Sequence, residues 1–88
     1  MNFKVSTRKN KKYMIEYNNK WIHFGDKNFS HYRDSTDIKR YSNLDHNDKV
    51  RQKSYLARAK GIKDKQGNYT YLDKNSPNYY AVKYLWGG

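Results

Sequence analysis

Apolar and polar residues alternate along Phe3-Lys4-Val5-Ser6-Thr7, the period of a strand with one buried face. A polar turn, Arg8-Lys9-Asn10-Lys11, follows. Two further stretches, Tyr13 to Tyr17 and Lys20 to Phe24, flank Asn18-Asn19, and Asn tolerates the positive φ that a two-residue hairpin loop requires. With that pair as the loop, Tyr17 faces Lys20, Glu16 faces Trp21, Ile15 faces Ile22 and Tyr13 faces Phe24. The register collects Tyr13, Ile15, Ile22 and Phe24 on one face, the predicted core side, and leaves Met14, Trp21 and His23 on the other. The pattern predicts a three-stranded antiparallel sheet over residues 2–25.

Gly25-Asp26-Lys27-Asn28 closes this unit. Residues 29–44 carry a weaker pattern, in which Ser35 caps a short helix through 37–41 or the segment is a loop. From Asp45 onward the pattern is helical, with Asp45 or Asn47 as N-cap and Gly61 where a C′ glycine belongs. Within it Val50, Ser54 and Ala57 share a face with Leu56, and Lys49, Lys53 and Lys60 line another flank. Arg51, Tyr55 and Arg58 recur at i, i+4 and i+7. Asp64 to Asn68 is a turn. Ser76-Pro77 is an N-cap followed by the position where a helix accepts proline, so Tyr79 to Trp86 is a short closing helix. The predicted fold is α+β, a small three-stranded antiparallel sheet packed with one main helix and a short C-terminal helix.

Length and composition bound this picture. Eighty-eight residues make a single small basic domain, residues 1–88. There is no cysteine, so neither disulfides nor thiolate metal sites reinforce it. No apolar run approaches the ~20 residues of a membrane span, and the basic N-terminal stretch has no apolar core of a signal peptide. These features lead us to expect a soluble protein, inside the cell or packaged in a particle, with no membrane partner. A low apolar fraction with a net charge of +11 resembles disorder. Ten Tyr, three Phe and two Trp argue for folding, because each aromatic buries roughly 150–250 Å².

The charge is unevenly placed: +5 over residues 1–25, −1 over 26–38, +6 over 39–65 and +1 over 66–88. Lysines and arginines that reach phosphates release counterions and bind nucleic acid without sequence preference. The candidate contacts are Arg8, Lys9, Lys11 and Lys12 in the turn, then Lys39, Arg40, Lys49, Arg51, Lys53, Arg58, Lys60, Lys63 and Lys65. Interleaved Tyr and Trp can stack on unpaired bases. The expected partner is nucleic acid, DNA rather than RNA. The alternative is an interaction module that self-associates or docks an acidic protein through a face that includes Trp21, Met14 or the C-terminal Tyr79 and Tyr84.

Asp45-His46-Asn47-Asp48 is the cluster that most resembles an active site, since Asp-His pairs open some metal-dependent nuclease motifs. The helix after it supplies no His or carboxylate before Asp64, so the reading preferred here is a helix cap. His23, His31 and His46 have no zinc-ligand spacing. With no phosphate-binding glycine loop and no nucleophile motif, the expectation is a non-enzyme with no catalytic residues, metal or cofactor.

The order of motifs adds a resemblance. Ile22-His23-Phe24-Gly25-Asp26-Lys27, Tyr32-Arg33-Asp34, His46-Asn47-Asp48-Lys49 with Arg51, Tyr55-Leu56-Ala57-Arg58, Ser76-Pro77 and Leu85-Trp86 resemble a family of uncharacterised small basic proteins. Large nucleocytoplasmic DNA viruses of algae and amoebae encode that family. The chain departs from it at Ala59, where His is usual, and at Asn78, where Gly often stands. The resemblance brings no activity. It implies a viral setting, in the virion or in the infected cell's cytoplasm or nucleus, and a role in condensing a large genome. Self-association would relieve the small core, so a homodimer that binds DNA combines the two readings. It also implies that Phe24, Tyr55, Pro77 and Trp86 are core, and that Arg51 and Arg58 are surface contacts or partners of Asp34 or Asp48.

Overall fold

A computed structural model describes residues 3–88; Asn2, predicted as the first residue of the sheet, lies outside them. Strands β1 (Phe3–Val5), β2 (Lys11–Tyr17) and β3 (Lys20–Asp26) form an antiparallel sheet in the order β1-β2-β3. Asn18 and Asn19 take φ of 51° and 61°, so the β2–β3 loop is the tight turn that two left-handed residues make. The turn sets the predicted register, Tyr17 with Lys20 through Tyr13 with Phe24. Phe3 and Val5 add β1 opposite Ile15 and Tyr13. Tyr13, Ile15, Ile22 and Phe24 are all buried on one face. The α+β architecture is the one the periodicity predicts.

The core face is covered by the C-terminal segment. Ser76 caps helix α2 (Pro77–Tyr80), its Oγ accepting from Asn78 N, and Pro77 occupies the first turn. The helix continues without a break into a π-helical turn, Ala81–Leu85. Tyr80, Ala81 and Leu85 complete the core, with Tyr80 5.7 Å from Phe24 and Tyr84 4.7 Å from Phe3, centroid to centroid. Three of the seven buried core residues are aromatic, and so are all six of the partly buried hydrophobic residues packed against them, so rings supply much of the core of a chain with few aliphatic residues.

The main helix α1 spans Lys49–Ala59. Its cap is Asp48, which accepts from Val50 N and Arg51 N; the sequence pointed instead to Asp45 or Asn47. Asp45 has been drawn away to His31 at 2.6 Å, and Asn47 sits at φ 53° and accepts from Arg33 Nε. Gly61 directly follows the C-cap Lys60, as predicted. The helix barely touches the sheet. It docks on the C-terminal segment instead: Tyr55 stacks on Trp86 (3.9 Å, 7° between planes) and Gln52 donates to Trp86 O.

Between β3 and α1 the chain has almost no regular structure. Residues 37–41 form no helix; a 3₁₀ turn occurs at Ser42–Leu44. Buried polar contacts order this segment. The Asp34 carboxylate accepts from the Tyr13 hydroxyl, from Thr36 N and Oγ1, and from Tyr41 N. Burial by itself would raise its pKa, but these donors outweigh burial and hold it below the ordinary 3.8. Removing the carboxylate strands three buried donors, while Tyr41 N keeps the Tyr13 hydroxyl as a partner. Asp34→Ala is expected to cost about 3 kcal/mol in urea denaturation and Tyr13→Phe about 1 kcal/mol, because Phe keeps the ring and leaves Asp34 its other donors.

Candidate nucleic-acid interface

Lysine 12 is the first surprise among the predicted contacts. Strand alternation assigns it to the face opposite Tyr13, yet both are buried, Lys12 at 2% exposure. Gly25, across the strand pair, makes room for this. It sits at φ +79°, and a Cβ there would lie 2.8 Å from Leu85 Cδ1 and 3.1 Å from Lys12 Cβ. The Lys12 ammonium donates to Phe29 O and to His31 Nδ1, both at 2.8 Å. An ammonium has no acceptor, so Nδ1 carries the lone pair and the Nε2–H of His31 donates to Asp45. Burial and the neighbouring Lys12 charge lower the His31 pKa against the pull of Asp45, which keeps the ring neutral. Lys12 therefore belongs to a buried Lys–His–Asp chain and is a structural cation, not the surface contact expected of a turn lysine.

The other candidates lie where phosphates can reach them. Arg8, Lys9, Lys39, Arg40, Lys49, Arg51, Lys53, Arg58, Lys60, Lys63 and Lys65 are exposed, and Lys11 is half-buried. None has a carboxylate oxygen within ion-pair distance among the described residues, where the one such contact is His31–Asp45. Arg51 and Arg58 thus pair with neither Asp34 nor Asp48. The acids are occupied elsewhere. Six of the eight acidic residues accept backbone N–H groups, Asp26, Asp34, Asp48, Asp64 and Asp73 in turns and caps and Asp45 across the loop from Asp34 N.

The structure gathers some of these cations and separates others. At 100° per residue, Arg51, Ser54, Tyr55 and Arg58 form one face of α1, while Lys49, Lys53 and Lys60 lie on the opposite one. The first face looks across a cleft of about 440 Å³ toward Lys12, Gly25, Asp26 and Phe29. Ala81, Leu85 and Trp86 also line it. The β1–β2 turn with Arg8, Lys9 and Lys11 is at this same end of the sheet, Lys11 being paired with Asp26. Lys39 and Arg40 stand apart, on the loop beside Tyr13. Lys60 and Lys63 lie over the rings of Tyr71 and Tyr69, at 5.7 and 4.9 Å.

The histidines are hydrogen-bonded at separate places. His23 is buried against Ser6 Oγ at 2.6 Å, on the face where the sequence placed it with Trp21. His46 Nδ1 accepts from Asp48 N at 2.9 Å, and its ring packs near Trp86. Its accepting nitrogen is thereby taken up in shaping the start of α1. The buried chain through Lys12 and His31 and the cleft were not legible in the spacing of the sequence, since five separate segments build them.

The chain belongs to a family of unknown function, DUF5754. The match covers residues 1–44, half the chain. That half contains the whole sheet and most of the buried polar network, whereas α1 and the floor of the cleft lie beyond it. No curated protein and no solved structure matches the chain.

The buried groups fix a pH signature. Burial lowers the Lys12 pKa from 10.5 to about 8, and nearby carboxylates only partly offset it. Between those values the unfolded chain binds a proton that the folded chain has released, so stability rises with pH. Tyr13 and Tyr80 act oppositely, burial raising both from 10.0 to about 12; above pH 10 the unfolded chain loses their protons first and stability falls. Urea midpoints measured across this range are expected to climb from pH 8 to about 10 and then drop. Lys12→Met should flatten the rise and leave the drop.

Proposed function

We propose that this is a non-enzymatic, largely sequence-independent DNA-binding protein of a large DNA virus, packaged in the virion and acting in genome condensation. One observation carries the reading. Six of the eight acidic side chains accept backbone N–H groups, and no exposed lysine or arginine has a carboxylate within ion-pair distance among the described residues. A net charge of +11 exceeds the ~2–8 that solubility asks of a small domain, and phosphates are the densest partners for it. The viral setting and the virion or infected cell as location rest on the resemblance of motifs from Ile22 to Trp86.

Cations on opposite faces of α1 suit condensation. Arg51 and Arg58 can engage one duplex while Lys49, Lys53 and Lys60 engage another, so that neighbouring segments are drawn together. The exposed residues Ile62, Tyr69 and Leu72, at 51%, 43% and 65% exposure, favour a second reading. In it the protein docks on another copy or on an acidic partner through this patch.

Fluorescence anisotropy with unrelated duplexes checks the first reading. Micromolar or tighter binding at ~50 mM salt is expected, weakening steeply toward ~200 mM. Replacing both Arg51 and Arg58 with alanine should reduce the slope of log affinity against log salt by about 2. Absent binding at low salt, or indifference to salt, rules this function out. Light scattering tests the second: a stable dimer that ignores DNA and dissociates on Leu72→Ser would replace it.

A further inference from the structure

We infer that the cleft between α1 and the end of the sheet holds one unpaired nucleotide of a single strand, with the base inside and its phosphates on Arg51 and Arg58. The inference rests on the nucleic-acid reading and adds a preference that backbone contacts alone do not create.

The cleft has the two-part chemistry of a nucleotide. At about 440 Å³ it falls in the ordinary size range of small-ligand sites. Its interior is apolar and aromatic: Leu85, Trp86 and Tyr55 line it, the last two already stacked face to face. Phe29 stands at the mouth, 66% exposed, where a large hydrophobic ring gains nothing from folding. A base inserted here would give it a partner. On the α1 side, the residues a core-packing helix would make apolar are Arg51, Ser54 and Arg58. Helices that close onto a sheet bring an apolar stripe; this one brings two guanidinium groups that have no carboxylate partner. Guanidinium groups bind phosphate through paired N–H donors.

Lys12 adds positive charge to the wall without needing to leave its partners. Asp26 is the one carboxylate lining the cleft, and its Oδ1 accepts from Asn28 N at 2.9 Å. The remaining oxygen can accept an N–H from the edge of a base. A duplex cannot satisfy this site as it stands, because its bases are paired and stacked, and extruding one costs a few kcal/mol. A single strand offers them freely, and stacking on aromatic side chains tolerates any sequence.

Phe29→Ala separates this site from general charge, since the side chain is exposed and its loss leaves the core and every cation in place. The probes are a fluorescein-labelled 15-nucleotide oligothymidylate and a duplex of the same length, compared by anisotropy in one buffer. The expected result is tighter binding of the single strand. Phe29→Ala then weakens it about fivefold to a hundredfold, the range for losing a base–aromatic stack, with duplex affinity changed less than about twofold. If Phe29→Ala leaves both affinities unchanged, or lowers both alike, no base enters the cleft and the inference fails while backbone binding stands. If neither probe binds at ~50 mM salt, the nucleic-acid reading itself fails.

Discussion

The Asp34 carboxylate and the Lys12 ammonium lie under the long connection between β3 and α1, and between them they hold it in place. That connection forms no strand or long helix, so its backbone groups find partners in scattered backbone contacts, such as His31 N to Leu44 O and Arg33 N to Leu85 O, and in buried side chains. Asp34 gathers Tyr13, Thr36 and Tyr41; Lys12 gathers Phe29 and His31; Asp45 joins them by accepting from His31 and from Asp34 N. A chain with so few aliphatic residues has little apolar surface with which to order such a segment. It uses a polar network instead, complete enough that each charge is offset by donors or acceptors.

This arrangement has a direct consequence at the surface. Six carboxylates are held by backbone N–H groups; they keep their charge but form no ion pair with a lysine or arginine among the described residues. The fold therefore ties most of its acids to the backbone and leaves its bases unpaired. Folding concentrates what remains: the β1–β2 turn comes to the end of the sheet that faces Arg51 and Arg58, while the lysines of α1 point the other way. The cleft follows from the same economy. α1 rests on Trp86 and neighbouring C-terminal residues, not on the sheet, so a cleft is left between its arginine face and the strands.

Local signals in the sequence carried the regular elements. Asn18-Asn19 dictated a turn, the turn dictated the register, and the register decided which residues of β2 and β3 are core. Ser76-Pro77 and Gly61 marked helix ends for similarly local reasons. Long-range competition decided the rest. Asp45 and Asn47 have the chemistry of an N-cap, but His31 and Arg33 claim them, and Asp48 takes the role. Lys12 stands at a strand position whose side chain should face away from the core, and it turns inward because Gly25 has no Cβ and His31 offers a lone pair. His31, Phe29 and Asp45 come near Lys12 only when the chain has folded. No spacing of residues announces such a site, although a lysine directly before a core tyrosine and opposite a glycine is a hint.

The central claim is that the cations left unpaired by the fold are a binding surface for phosphate. The most direct test is nuclear magnetic resonance of the ¹⁵N-labelled protein, backbone amides and arginine Nε groups together, during titration with a short duplex at low salt. The account predicts shifts in the β1–β2 turn, along α1 and at Arg51 and Arg58 Nε, with the Asn18-Asn19 tip at the far end of the sheet unmoved. Silent Arg51 and Arg58 in the presence of excess duplex, or shifts as large at Asn18 and Asn19 as along α1, would contradict it.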